Sequence, residues 1–356
     1  MNISRLGWTA ALAEAFAPFA DQGFTPGRVA LEHTHIYRVI TDAGESLARV
    51  SGRLRHRAAT RADFPAVGDW VAIQPPEHAG DSRIVAVLPR RSRFSRRAAG
   101  DPTEEQVVAA NIDTVFLVAG LDGDFNPRRI ERYLLVAVES GAAPVVVLNK
   151  ADVVDDPDRI AEVVRASVGD IPVHVVSCRV PGGVDVLRQY LGPGQTGALL
   201  GSSGVGKSTI VNRLVGHELL KTETVRESDS RGRHTSTARQ MIVLQESGVL
   251  IDTPGMRELQ LWESGDVRDA FGDVESLAES CRFRDCRHRE EPGCAVLEAV
   301  ASRTLAPGRL ESYHKLQNEQ AFHVRQVDQR AQIEERRRWK VLTKAAQKRI
   351  KEKGRD

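Results

Sequence analysis

The sequence predicts a multidomain α/β protein: a small β-barrel, a doubly wound parallel sheet, and a helical C-terminal module that closes around a metal. Three observations carry this. Short strands broken by turns run from about Arg28 to Arg97, strand–helix alternation begins at Asp113, and three of the four cysteines gather around a histidine beyond Trp262. At 356 residues the chain is long for one domain. A hydrophobic content of 41% with 28% charged residues fits folded domains and excludes a disordered or collagen-like chain. The segments expected are 1–27, an N-terminal helical piece; 28–100, the barrel; 104–260, the α/β domain; and 261–356, the metal-binding helical part.

In the first segment, Trp8 to Ala20 is apolar enough to be taken for the core of a signal peptide. Glu14 interrupts it, and an amphipathic helix is the reading we adopt. No run is long and apolar enough to span a bilayer. Four cysteines do not make a disulfide framework in a chain of this length, so the cytoplasm is the expected compartment. The chain is expected to work as a monomer with no membrane partner.

The barrel segment reads as Arg28–Glu32, Ile36–Ile40, Trp70–Ile73 and Arg83–Leu88, with turn signals at Asp42–Gly44 and Val67–Asp69 and no helix evident between them. About five short strands in so few residues predict a barrel of the oligonucleotide-binding (OB) type. Basic residues crowd its connections. Arg53, Arg55, His56, Arg57 and Arg61 form one group; Arg90, Arg91, Arg93, Arg96 and Arg97 form another, with Phe94 among them. Such groups are either solvated loops or a surface that grips phosphate and stacks on bases, and the net charge of +2 conceals them.

From Asp113 the pattern is Thr114–Val118 strand, Pro127–Ser140 helix, Pro144–Leu148 strand, a helix near Arg159–Ser167, and the strand Val173–Val175. In such a sheet ligand loops sit at strand carboxyl ends. The strand Ala198–Leu200 then runs into Gly201, Ser202, Ser203, Gly204, Val205, Gly206, Lys207, Ser208 and Thr209, and apolar residues at helical spacing follow. This is G-x-x-x-x-G-K-S between a strand and a helix, the arrangement that turns backbone N–H groups and a helix N-terminus onto phosphates. Lys207 would reach the β- and γ-phosphates and the Ser208 hydroxyl would ligate Mg²⁺.

Its companions are also at strand ends. Asn149, Lys150, Ala151 and Asp152 read N-K-x-D, which selects guanine because a carboxylate accepts from the ring N–H and the exocyclic amine together. Ser177 and Cys178 sit where a short loop closes over the same base. Asp252 and Gly255 fit D-x-x-G, with the acid near Mg²⁺ and the glycine N–H near the γ-phosphate. Between Gly216 and Arg239 there is no periodicity, as in a switch loop, and Thr235 or Thr237 there could supply a second Mg²⁺ ligand, Thr235 being the candidate adopted. Met256 stands where many GTPases carry a water-orienting Gln, so slow hydrolysis of GTP by the isolated protein is expected, and His234 is the nearest residue in sequence that could position the water.

The order is base loop, phosphate loop, D-x-x-G, and it resembles that of the circularly permuted GTPases. Beyond it, Cys281, Cys286, His288 and Cys294 offer three thiolates and an imidazole, a set that satisfies tetrahedral Zn²⁺ without leaving an open position; the alternatives are a disulfide between two of the thiols, or thiols buried singly. One such zinc would be structural, stapling a module too small for a large core. The C-terminal stretch past Leu310 reads as a long basic helix, either solvated or in contact with RNA.

A barrel, a permuted GTPase and a Cys3His module in that order resemble the ribosome small-subunit-dependent GTPase A family. The marks that carry the resemblance are Asn149–Asp152 ahead of Gly201–Thr209, Gly232–Thr235, Asp252–Gly255, Cys286–His288 and Glu291–Val296. Membership implies a GTP hydrolase that binds the small (30S) ribosomal subunit and its rRNA late in maturation, with GTP and GDP as ligands, Mg²⁺ and zinc as cofactors, and release upon hydrolysis. The residues alone leave two other readings: a switch acting on a protein partner without RNA, and a kinase-like enzyme, against which the guanine-selecting Asn149 and Asp152 argue.

Overall fold

The structure, a computed structural model, describes residues 2–33, 36–76, 80–98, 101–123, 125–219, 239–245, 247–252, 271–305, 307–311, 313–314 and 317–318. The chain divides into two compact units, 1–270 and 271–356.

The first unit opens with a 3₁₀ turn, Ile3–Leu6, and helix α1 (Ala10–Ala20), whose N-terminus is capped by the Thr9 hydroxyl accepting from Leu12 N–H at 3.3 Å. Leu12 and Phe16 are the buried face, and Trp8 stands edge-on to both Phe16 and Trp70. Five strands follow: β1 (Thr25–His33), β2 (Ile36–Thr41), β3 (Gly44–Val50), β4 (Trp70–Gln74) and β5 (Ser82–Val87). They pair in the order β1-β2-β3-β5-β4, and β4 returns to β1 from Thr25↔Ile73 to Arg28↔Trp70, which closes the barrel and leaves no edge within it. Only β3–β5 is parallel. Val29, Tyr37, Val39, Ala48, Val71, Ile73 and Ile84 fill the interior.

The barrel differs from the sequence reading in three places, the first being strand β3 (Gly44–Val50), which that reading did not name. A short helix, α2 (Gly52–Arg57), stands between β3 and β4, started by the Ser51 hydroxyl accepting from Leu54 N–H. It buries no residue, so it lacked the apolar stripe by which a helix is read, and its last turn carries Arg55, His56 and Arg57 where the helix dipole favours cations. The second arginine group is exposed at Arg91 and Arg93 but not throughout. Arg90 makes a bidentate pair with the buried Asp69 carboxylate at 2.8 and 2.7 Å, and Phe94 lies in the core at 1% exposure, so its ring cannot serve as a stacking platform. Strand β6 (Arg93–Ala98) and β7 (Asp101–Ala110) form a separate antiparallel ribbon, which places Arg93 and Arg96 on strand β6.

The remaining elements are β8 (Thr114–Gly120), α3 (Pro127–Ser140), β9 (Ala143–Asn149), α4 (Pro157–Val168), β10 (Val173–Val175), β11 (Thr196–Leu200), α5 (Lys207–Val215), β12 (Arg239–Val243) and β13 (Val249–Asp252). The sheet order is β10-β9-β8-β11-β13-β12, parallel except for β12. Both faces are covered, which is why β8 and β9 read as unbroken apolar runs. Val115 and Leu117 face α3 and α4 with Ile130, Leu134 and Val164; Phe116 and Val118 face the opposite core with Ile210 and Leu214 of α5.

Barrel and sheet are joined by β1 and β12, paired antiparallel at Leu31↔Gln240 and Glu32↔Arg239. Arg28 reinforces the junction. Fully buried, it donates to the carbonyls of Gly68 and Asn111 at 3.1 Å each and to that of Leu6, with its guanidinium 5.5 Å from the Trp70 ring. Burial brings its pKa down to about 10, so it keeps its charge at neutral pH.

The second unit holds α6 (Gly272–Ala278) and α7 (Ala295–Ala301). Arg309 pairs with Asp273 at 2.9 and 3.0 Å and lies 4.0 Å over the Phe271 ring, and the Tyr313 hydroxyl donates to Glu275 at 2.6 Å. Nearly all of the basic C-terminal stretch lies outside the described residues.

Candidate functional site

The stretch 201–206 leaves β11 and turns into α5. Two of its glycines are required by space. A Cβ on Gly201 would sit 2.3 Å from the Val118 carbonyl of the neighbouring strand, and one on Gly206 would sit 2.3 Å from the Asn149 amide nitrogen; Gly206 also has φ +95°, which disfavours any other residue. The Lys207 ammonium donates to the carbonyls of Gly201 and Ser202, both at 2.7 Å, so it lies along the loop whose ligand it is expected to meet. Ser208 and Thr209 occupy the first turn of α5, with orphan N–H groups around them.

Asn149 ends β9, one strand beyond β8 in the sheet order. Its buried side-chain amide donates to the Val205 carbonyl at 2.8 Å, and the Cys178 thiol approaches its Oδ1 at 3.6 Å. Lys150 takes the left-handed conformation, φ +65°, and its ammonium pairs at 2.5 Å with Asp122 after β8. Asp152 accepts from the Ser177 hydroxyl at 2.5 Å and lies 3.4 Å from Arg179. The Ser177 hydrogen bond, helped by Arg179 and Lys150, holds the Asp152 carboxyl below its ordinary range, so it is ionised and ready to accept. Burial raises the Cys178 thiol, which is therefore inert at neutral pH. Arg213 of α5 donates to the Cys178 carbonyl at 2.9 Å and ties the third loop to the first two.

Asp252 ends β13, adjacent to β11. Burial pushes its carboxyl up, opposed by the Lys207 ammonium. The structure thus brings Asn149, Lys150, Asp152, Ser177, Cys178, 201–209 and Asp252 to the carboxyl ends of adjacent strands. His234, Thr235, Gly255 and Met256 lie outside the described residues. Asp122 and Arg129 were missed by the sequence reading. Arg129, on the first turn of α3, donates through Nη1 to the Ser202 hydroxyl at 2.8 Å, a contact spanning 73 residues that no local pattern announces.

The metal cluster is assembled within the second unit. The ligand atoms of Cys281, Cys286, His288 and Cys294 all lie within 4.8 Å of one another. Cys281 Sγ is 3.8 Å from Cys294 Sγ and 3.6 Å from His288 Nδ1, and His288 Nδ1 is 3.3 Å from Cys294 Sγ. Zinc bonds of about 2.3 Å to sulfur and about 2.0 Å to nitrogen give tetrahedral edges of about 3.8 and 3.5 Å, so the set fits one Zn²⁺ through His288 Nδ1. Burial lowers the His288 pKa, favouring the neutral ring a metal needs. The loop is shaped by Glu291, whose carboxylate accepts from the N–H groups of Arg287, Arg289 and Glu290 and whose pKa falls to about 2, chiefly through the Arg289 N–H.

The RsgA GTPase family model matches residues 87–262. A relative from Opitutus terrae, a small ribosomal subunit biogenesis GTPase RsgA, is 48% identical over 365 residues covering all of both chains. The chain belongs to the RsgA GTPase family. A protein of the same description from Methanosarcina acetivorans is 43% identical over 90% of this chain and 86% of its own. The crystal structure of YjeQ from Thermotoga maritima superposes with a TM-score of 0.64 at 27% identity, covering 84% of this chain and 99% of that one. That of YloQ, a circularly permuted GTPase, shares the fold with a TM-score of 0.60. An ABC transporter model also matches residues 184–352. That match includes the phosphate loop, which ATPases and GTPases have in common, but begins after Asn149–Asp152, whose N-K-x-D pattern is the one expected to select guanine. As an RsgA-family GTPase the protein is a hydrolase that takes Mg²⁺ with its nucleotide, and its cysteine cluster fits one zinc. No described helix is long and apolar enough to cross a membrane.

Proposed function

We propose that this GTPase binds the small ribosomal subunit late in its assembly, in the cytoplasm and as a monomer, and leaves when GTP is hydrolysed. The observation that carries the reading is the Asn149–Val205 bond: a guanine-selecting loop and a phosphate loop locked together on a permuted sheet. The relatives named small ribosomal subunit biogenesis GTPases, one of them similar over the whole length of the chain, support the partner. In this reading Asp152 and Asn149 hold guanine, Ser177 and Cys178 close over it, and residues 201–209 hold the phosphates. Lys207 neutralises phosphate charge, Ser208 and Thr235 bind Mg²⁺ with Asp252 beside it, and Gly255 meets the γ-phosphate. His234 positions the attacking water once the subunit orders its loop.

The division of labour follows the sequence segments 28–100, 104–260 and 261–356, with rRNA met by the barrel. Arg53, Arg55, His56, Arg57 and Arg61 are all exposed on α2 and the turn after it, a compact cationic surface suited to a phosphate backbone. Zinc, supplied to Cys281, Cys286, His288 and Cys294, holds the C-terminal module in shape.

The test is co-sedimentation with small and large subunits in GDP and in a non-hydrolysable GTP analogue. Binding to small subunits that needs the analogue, and a large stimulation of hydrolysis that His234→Ala loses while still binding, are expected; Lys207→Ala should impair nucleotide binding itself. No subunit binding in either state would favour a switch acting on a protein partner.

A further inference from the structure

Helix α3 begins against the usual electrostatic rule. Its first turn contains Arg128 and Arg129 and no acid, although a helix N-terminus carries partial positive charge and prefers carboxylates there. The turn is otherwise well made. Pro127 occupies the first helical position, and the Asn126 side chain caps the helix by accepting from the Arg128 N–H at 3.0 Å. A local rule broken within a well-capped helix points to function. Arg128 is exposed, but Arg129 is half-buried and reaches the Ser202 hydroxyl of the phosphate loop at 2.8 Å.

Ser202 is also where Lys207 lands, on the carbonyl of the same residue at 2.7 Å. Two cations from different helices therefore converge on one residue of the loop, one on its backbone and one on its side chain. A planar guanidinium has donors enough to hold a hydroxyl and a phosphoryl oxygen together, which an ammonium on a flexible stem does less well. GTP brings more negative charge to this loop than GDP, and that charge spreads over the terminal phosphoryl oxygens as the bond to it loosens.

We propose that Arg129 is a second phosphate-facing cation, an arginine supplied from the same chain that stabilises the charge on the terminal phosphoryl group and is anchored for that role by Ser202. This rests on GTP hydrolysis at the loop and is independent of the ribosomal partner. The hydrolytic step is unchanged: water attacks the γ-phosphorus, the bond to the β-phosphate oxygen breaks, and GDP leaves with inorganic phosphate.

The experiment uses the full-length protein with Mg²⁺ and compares wild type, Arg129→Ala, Arg129→Lys and Ser202→Ala in single-turnover hydrolysis and in binding of fluorescent GDP and a non-hydrolysable GTP analogue. Arg129→Ala should slow hydrolysis by about a hundredfold while GDP affinity stays within about threefold. Arg129→Lys should recover less than a tenth of the lost rate, and Ser202→Ala should lie between Arg129→Ala and wild type. A hydrolysis rate in Arg129→Ala within tenfold of wild type would overturn the proposal, and so would parallel losses of GDP and analogue binding, which mark a merely structural arginine. If wild type itself hydrolyses no GTP, the hydrolytic reading fails instead, a result distinct from both.

Discussion

The side-chain amide of Asn149 donates to the backbone carbonyl of Val205 at 2.8 Å, so the end of β9 is bolted to the middle of the phosphate loop. The bond sets the distance between the base end and the phosphate end of the nucleotide site before any nucleotide arrives. It also explains why Gly206 tolerates no side chain, because the Asn149 amide occupies the space a Cβ would need. Asn149→Asp places a carboxylate against a carbonyl and exchanges a donor for a repulsive acceptor. It should weaken GDP and GTP alike, by about 2–3 kcal/mol, while the fold persists. Titration with fluorescent GDP, beside a thermal melt of the same preparation, measures both.

In the proposed reading Asp152 acts on the base instead. Its charge is held by the Ser177 hydroxyl, and an amide in its place would present a donor to the guanine N–H and amine. Asp152→Asn should lose about 2–3 kcal/mol of GTP affinity and prefer xanthosine triphosphate, whose ring offers a carbonyl where guanine has the amine. Competition between the two triphosphates gives the preference directly. Unchanged GTP affinity would remove Asp152 from the base pocket.

These contacts show what the sequence could and could not disclose. The placement of Asn149, Asp152, Ser177, Lys207 and Asp252 at or just past strand carboxyl ends was legible because the strands before them are apolar runs, and a parallel sheet gathers its strand ends together. The thiols and imidazole of Cys281, Cys286, His288 and Cys294 were legible through residue type and proximity. Helix α2 was hidden because Gly52–Arg57 buries nothing. Strand β3 was hidden because Gly44–Val50 has little apolar pattern, only Ala48 being buried. The burial of Phe94 and the reach of Arg129 to Ser202 are tertiary facts, set by a ribbon and a helix N-terminus that no short-range spacing encodes.

The cysteine cluster should behave as a staple for the second unit alone. Cys281→Ser, Cys286→Ser or Cys294→Ser removes one of four protein ligands, and apparent zinc binding in such sites is worth about 10–16 kcal/mol of folding. Cys294 has a second task, since its sulfur accepts from the Leu297 N–H at the start of α7. Each substitution should release zinc on elemental analysis and expose 271–356 to protease, while GDP binding by the first unit persists. Freshly purified wild-type protein without zinc would refute the staple.

Gln240 pairs with Asp252 on one side and with Leu31 on the other. Strand β12 therefore lies between the strand that ends in the D-x-x-G acid and the strand that begins the barrel. Its own N-terminal neighbour in sequence is the stretch 220–238, which contains Thr235 and His234, the residues proposed above for Mg²⁺ and the attacking water. If that stretch responds to the γ-phosphate as proposed, β12 can shift with it only by disturbing hydrogen bonds to β13, to β1, or to both. The barrel that carries the exposed arginines of α2 is thus paired, through β1, with the strand that follows that stretch in sequence. In hydrogen-exchange measurements on the full chain, amides of β12 and of the Leu31–Glu32 end of β1 should differ in protection between GDP and a non-hydrolysable GTP analogue. Barrel amides distant from that edge, in β3 and β5, should not. If β12 and β1 exchange identically in the two nucleotide states, the β1–β12 pairing transmits nothing to the barrel.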